Sequence, residues 1–338
     1  AMSPGEIYVL LLAGFKPEEI FYISNNVSEE EMKFAIDRGI IVSVDSLSQL
    51  KMLGRINPGG KVAVRFNPGV GAGHHEKVVT AGKKTKFGVN MDFVDEVKNI
   101  AKEYNLKIVG INQHIGSLFM ESKPFLEGAR SLLSIAEQFE DLDFVDFGGG
   151  FGIPYRKQEG QERLDLCELG RELDKLITEW TDRYGKKILF KIEPGRYISA
   201  ESGVILGKVH AKKNNYGTIY VGTDIGFNVL IRPAMYDSHH DIEVYNKGTY
   251  NNNAQFETVT IVGNICESGD ILAKDRNLPY INEGDIIGVM DAGAYGYSMS
   301  SNYNNRLRPA EVLIREDGSV ALIRRRDTFE DLVRNFQV

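Results

Sequence analysis

The chain has 338 residues, enough for two domains, because single cores stop growing near roughly 250 to 300 residues. With 42% hydrophobic and 26% charged residues and a formal net charge of -7, it has the balance of a soluble globular protein. It shows no basic tract of the kind a nucleic-acid groove requires.

The run "IYVLLLAGF" near the start is too short to span a bilayer and has neither a charged region before it nor a cleavage site after it, so it predicts an amphipathic helix. From residue 1 to about 200, short β-branched runs alternate with helical periodicity, the pattern of a parallel βα architecture. The predicted strands are 20–24, 40–44, 61–66, 107–112, 144–148 and 187–192. Ser28 and Glu31 form a predicted capping box for a helix that stops at Gly39. Polar, Gly-rich or Pro-rich loops follow the strands, including "RFNPGVGAGHH", "QHIGS", "DFGGGFGIPY" and "IEPGR". In a closed barrel all of them fall on the C-terminal face, where barrel enzymes carry their chemistry.

Beyond residue 200 the chain turns β-rich, with predicted strands in 203–213, 218–224, 256–264, 284–291, 310–317 and 319–325, and a helix in "RDTFEDLVRNF". The Asn-rich "NKGTYNNNAQ" reads as a surface loop. The expected division is therefore a (β/α) barrel over 1–200 and an all-β domain over 201–338. A (β/α)8 barrel needs eight strands and six are found here, which predicts that the first strand or two is missing.

Three loops hold candidate chemistry. Gly148, Gly149 and Gly150 follow a strand, where backbone N–H groups can converge on a phosphate without Cβ obstruction; a plain tight turn is the alternative. Neither a dinucleotide fingerprint nor a Walker loop fits them. "KIEPGR" sets Glu193, Gly195 and Arg196 at a strand mouth, able to address a cationic ring nitrogen, a phosphate and a carboxylate, or else to form only a solvent-exposed pair. His114 and Ser117 follow another strand, and a shared barrel face is what favours function over a structural histidine. The His74-His75 and His239-His240 doublets make a poor metal site, since neighbours on a strand point oppositely, and no metal is expected. The two cysteines, Cys167 and Cys266, have no CxxC or Cys/His ligand spacing and suggest a reducing, cytoplasmic compartment.

Together, "HIGS", "DFGGGFGIPY", "EPGRYI", "IRPAMY", "CESGD" and "DAGAYGYSMSSNYN", in this order, resemble the fold-type III pyridoxal 5'-phosphate (PLP) decarboxylases. "RFNPGVGAGHHEKVVTAGKKTKFG" extends the likeness across the whole chain, closest to the diaminopimelate decarboxylase subgroup. The resemblance implies an alanine-racemase-like barrel followed by a β domain, PLP as cofactor, and decarboxylation of meso-2,6-diaminopimelate to L-lysine. By that resemblance Glu193 pairs with the pyridine nitrogen and His114 stacks on the ring. Gly148, Gly149, Gly150, Gly195 and Ser117 surround the phosphate, with Arg196 beside them and Tyr295 reaching it. Cys266 becomes the acid that protonates the α-carbon, a task suited to a thiol. Glu267 reads a distal ammonium, while Arg196, Arg232, Tyr236 and Tyr295 line the substrate's distal carboxylate. Cys167 is assigned to the core.

The resemblance also implies a head-to-tail homodimer in which the Cys266 loop completes the partner's site. The family's covalent anchor lies in a Tyr-x-x-Lys-Ala-Asn type motif that is not found in this sequence, and Lys86, Lys191 and Lys212 fall in other family segments. If residues 1–338 are everything, little or no activity is expected. Two alternatives stand beside this reading: an ornithine, arginine or carboxynorspermidine decarboxylase, and a non-catalytic subunit on the same scaffold.

Overall fold

The computed structural model describes residues 1–69, 72–73, 85–246, 249–250 and 255–337. The chain forms two compact units, Ala1–Gly152 with Arg163–Gly195, and Ile153–Glu162 with Arg196–Val338.

In the first unit all six predicted strands form: β1 (Phe21–Ile23), β2 (Ile41–Val44), β3 (Lys61–Asn67), β4 (Lys107–Asn112), β5 (Phe144–Gly149) and β6 (Leu189–Glu193). They pair in sequence order and all in parallel. Helices alternate with them: α1 (Pro4–Leu12), α2 (Glu29–Ile36), α3 (Leu47–Ile56), α4 (Val94–Glu103), α5 (Ser122–Ala136) and α6 (Leu166–Tyr184). Local chemistry sets their ends. Ser28 and Glu31 make the reciprocal capping box of α2, Ser3 and Ser46 cap α1 and α3, and left-handed Gly185 stops α6.

Side chains alternate along each strand, so one face of the sheet presents Tyr22, Val42, Val64, Ile111 and Val145, all buried. Phe147 and Phe190 share that face and meet the helices, Phe147 against Phe125 of α5 and Phe190 against Trp180 of α6. The other face is polar along one row of register, where Arg65, Asn112, Asp146 and Lys191 stand side by side across β3 to β6. This row lies directly beneath the loops that carry the site.

Two expectations fail in this unit. The α1 run does form a helix, but of its apolar residues only Ile7 is buried, while Tyr8, Val9 and Leu12 are exposed. Consecutive apolar positions are spread around a helix at ~100° per residue and cannot form a stripe. Cys167 is exposed rather than in the core. The buried residues of α6 are Leu169 and Trp180, and two positions along a helix turn Cys167 roughly 200° away from Leu169.

The second unit is built on a seven-stranded sheet, antiparallel except where Thr218–Thr223 runs parallel to Phe256–Val262. The predicted strands form as Ile205–Asn215, Thr218–Thr223, Phe256–Val262 and Ile286–Val289, together with a separate hairpin, Glu311–Ile314 with Val320–Arg324. Three further strands, Ile242–Asn246, Thr249–Tyr250 and Ile271–Pro279, join the sheet, the second of them inside the stretch expected to be a loop, and a short helix lies at Phe329–Val333. Val221, Leu230, Val244, Ile261 and Ile287 are fully buried in its core. Of the Asn-rich stretch, residues 247, 248 and 251–254 lie outside the described residues.

Trp180 is the only tryptophan, fully buried, stacked on Tyr184 and bonded through Nε1 to the Leu133 carbonyl at 2.9 Å. Its replacement by Ala should destabilise the first unit by about 3–5 kcal/mol. Urea unfolding followed by circular dichroism checks this, and a loss below about 1 kcal/mol contradicts the packing described.

Candidate functional site

The site is assembled where β4, β5 and β6 end. The Gly148 N–H donates to Asp146 Oδ1 at 2.9 Å, which tightens the turn after β5. Gly148 and Gly150 hold φ of 77° and 103°, a region that L side chains rarely adopt. Their neighbours leave no room for a Cβ. One built on Gly148 falls 2.2 Å from the Gln113 carbonyl oxygen, on Gly149 1.9 Å from that of Glu193, and on Gly150 2.2 Å from that of Gly116. Backbone therefore packs on backbone. The Ser117 loop is laced to the same turn, with Phe119 N–H on the Gly150 carbonyl at 3.1 Å and Gly152 N–H on the Phe119 carbonyl at 3.0 Å. Gly195 is different: a Cβ there meets nothing within 4 Å, so sterics do not demand glycine.

His114 receives the Gly149 N–H at Nδ1, 3.1 Å away, so Nδ1 is an acceptor and a neutral ring carries its proton on Nε2. Burial, then the Arg65 guanidinium, push its pKa down to about 4. Glu193 goes the other way. Burial, then the neighbouring Asp146 carboxyl, raise its pKa to about 8 against the opposing pull of Arg65. Glu193 Oε1 is buried with no hydrogen-bond partner among the described residues. A phosphorylated pyridine fits this arrangement: a cationic ring nitrogen satisfies the orphaned oxygen, a neutral imidazole can lie on the ring, and the glycine turn has no Cβ to obstruct a phosphate.

The second unit brings together another part of the predicted set. Arg196 and Arg232 are both buried. Arg196 Nη1 donates to the Tyr155 hydroxyl at 2.9 Å, and its guanidinium lies 4.7 Å from the Tyr295 ring centre. The Arg232 guanidinium lies 4.6 Å from the Tyr155 ring centre, and its Nη1 donates to His240 Nε2 at 2.7 Å. Tyr295 is held at φ 60° and is partly exposed, the kind of local strain found at ligand clamps. Tyr236 ends the one-turn helix Arg232–Tyr236 and follows Arg232 at i+4, on the same helical face.

Cys266 is exposed, its N–H on Asn304 Oδ1 at 2.9 Å. The Asp270 carboxylate accepts from the Ile265 and Phe227 amides, both at 2.7 Å, and so braces the Cys266-Glu267 loop.

Asp146, Arg65, Tyr155 and His240 were not singled out from the sequence. Asp146 and Tyr155 stand inside the quoted "DFGGGFGIPY", Arg65 opens "RFNPG", and His240 belongs to a doublet weighed only for metal binding. Among the described residues no cluster of three or more His, Cys, Asp or Glu could hold a metal; His74 and His75 lie outside them.

A unit of parallel strands ending in a tight glycine turn and a buried carboxyl, together with a β-rich unit holding two buried arginines, fits one class: barrel enzymes that use pyridoxal phosphate. A family model described as "Pyridoxal-dependent decarboxylase, pyridoxal binding domain" matches residues 1–200. The chain belongs to this family, whose cofactor is PLP. The diaminopimelate decarboxylase of Methanothermobacter thermautotrophicus is 45% identical over 345 residues, covering 100% of this chain and 79% of the relative. A crystal structure of a diaminopimelate decarboxylase superposes with a TM-score of 0.91 at 34% identity, covering 99% of this chain and 82% of that one. The Helicobacter pylori diaminopimelate decarboxylase complexed with L-lysine gives 0.88 at 32% identity, covering 98% and 82%.

The raised Glu193 pKa has a signed consequence for the cofactor-free protein. Between about 4.5 and about 8 the unfolded carboxyl has ionised while the folded one keeps its proton, so stability falls as pH rises through that window. Glu193→Gln should flatten the fall, by up to about 1.4 kcal/mol per pH unit. Urea titrations of both proteins from pH 4.5 to 8 measure the difference, and parallel profiles contradict the buried, protonated carboxyl.

Proposed function

We propose that this protein removes one carboxylate of meso-2,6-diaminopimelate as CO2 and leaves L-lysine, in the cytoplasm. The observation that carries the substrate choice is the pair of buried arginines gathered on Tyr155. A substrate whose far end bears only an amine has no use for them, whereas a distal carboxylate does. The relatives' names, at 33–45% identity, point the same way.

Bound PLP supplies a cationic ring that accepts the electron pair of the breaking bond between Cα and the carboxylate. The chain's residues do the rest. Glu193 holds a proton on the ring nitrogen, and neutral His114 lies on the ring face, where a charged imidazole would repel it. Gly148, Gly149, Gly150, Gly195 and Ser117 hold the phosphate, with Arg196 and Tyr295 alongside. Arg196, Arg232, Tyr236 and Tyr295 orient the substrate's distal carboxylate, and Glu267 binds the ammonium beside it. CO2 leaves, Cα takes a proton from the Cys266 thiol, and the thiolate recovers one from solvent. Exposure of Cys266 and Glu267 suits a head-to-tail homodimer in which this loop serves the other subunit's site. On this reading residues 1–200 are the cofactor-binding domain, and 201–338 supply the proton-transfer group and, with Arg196, the groups that hold the substrate's far end.

Incubating the full-length protein and PLP separately with meso-diaminopimelate, ornithine, arginine and carboxynorspermidine tests the proposal. Lysine and CO2 are expected from the first only, and diamine without lysine overturns the substrate assignment. Cys266→Ala should lower kcat about 10²–10⁴-fold with the PLP absorbance unchanged.

A further inference from the structure

Of the two histidine doublets, His239-His240 lies within the described residues, and it is not spent on a metal. Its two rings do different work. His239 Nε2 bonds Asp241 Oδ1 at 3.0 Å, a contact between residues two apart in sequence. His240 is 1% exposed and lies between two partners. Its Nδ1 is 2.7 Å from the Met290 carbonyl oxygen, and its Nε2 is 2.7 Å from Nη1 of Arg232, itself 2% exposed.

Those two contacts fix the tautomer. A carbonyl can only accept, so Nδ1 carries the proton, and Nε2 presents a lone pair to the guanidinium, which can only donate. Burial and the Arg232 charge push the His240 pKa down to about 3, in keeping with a neutral ring.

A neutral acceptor at this position has a definite consequence. A carboxylate would both orient and neutralise Arg232, leaving little attraction for a ligand anion. An imidazole pinned by a backbone carbonyl orients the guanidinium and leaves its charge in place. The ring of Tyr155 on the other side is also uncharged.

We infer that His240 is a positioning residue for substrate selection: through Nε2 it aims the Arg232 guanidinium at the carboxylate of the substrate's far end without spending that guanidinium's charge. The inference rests on the diaminopimelate reading above and deepens it.

Two variants separate orientation from folding. In His240→Asn the shorter amide can still donate to the Met290 carbonyl but offers Arg232 no acceptor. In His240→Gln the amide oxygen reaches the place of Nε2. A hydrogen bond to a charged group contributes roughly 10–100-fold to an equilibrium. For meso-diaminopimelate, KM should therefore rise about 10–100-fold in His240→Asn with kcat within about threefold of wild type, and His240→Gln should recover most of the loss. Calorimetric binding of 1,5-diaminopentane, which lacks the distal carboxylate, should be unchanged in both, whereas L-lysine, which keeps it, should bind more weakly to His240→Asn in step with KM.

An unchanged KM in His240→Asn overturns the inference. So does an equal loss in both variants, or a parallel loss of 1,5-diaminopentane binding, since a structural role affects every ligand alike. A wild-type enzyme that does not prefer meso-diaminopimelate to ornithine instead defeats the function proposed above, so the two failures are distinguishable.

Discussion

The arrangement depends first on the close approach of backbone to backbone around Gly148, Gly149 and Gly150. Three carbonyl oxygens, those of Gln113, Gly116 and Glu193, occupy the space where side-chain carbons would otherwise stand. This contact brings the ends of β4, β5 and β6 close enough for the Gly149 amide to reach His114 and for Gly149 to pair in register with Glu193. One turn thereby sets two things: the tautomer of the imidazole and the place of the carboxyl. Any side chain at Gly149 must push β5 and β6 apart, and with them Glu193 away from the turn that holds His114.

Beneath the turn, burial and charge oppose each other. A parallel sheet covered on both faces is usually apolar throughout, yet here one register row carries Arg65, Asn112, Asp146 and Lys191. Arg65 acts on both carboxyl and imidazole, favouring the ionised form of Glu193 and disfavouring the charged form of His114. For Glu193 desolvation prevails, and the cofactor-free pocket holds a proton on the carboxyl pair. A pyridinium beside Oε1 reverses that balance by adding a positive charge where the orphaned oxygen lies. On the proposed reading this polar row would serve a bound ring rather than stability.

What could be read from the sequence divides along physical lines. The six parallel strands were legible because each is a β-branched run bounded by loop residues, and the capping box of α2 because its two partners stand three apart. Ile271–Pro279 was missed because Lys274, Asp275 and Asn277 interrupt the run on its exposed side, although Leu272, Ala273 and Leu278 are buried. Cys167 was misplaced because a cysteine in a helical pattern does not reveal which face it occupies until Leu169 and Trp180 show the buried one. The glycines and Glu193 were legible as motifs. Asp146 and His240 were not, because a buried polar side chain resembles an exposed one in sequence, and only register and contact reveal its partner.

The same distinction explains how the second unit can hold two guanidinium groups in its interior. Arg196 and Arg232 are both buried, and burial first, then the Arg196 charge, lower the preference of Arg232 for its charged form. An acidic partner is the usual remedy for a buried cation. Here Arg232 is held by a neutral imidazole and an aromatic face, which satisfy a hydrogen bond and offer cation–π attraction without cancelling its charge, and Arg196 adds a bond to the Tyr155 hydroxyl and the face of Tyr295. Such a cluster is stable enough to be preorganised and still favours an incoming carboxylate. Preorganisation of this kind reduces the cost of ordering long side chains when the ligand binds, and it lets charge decide which ligand that is.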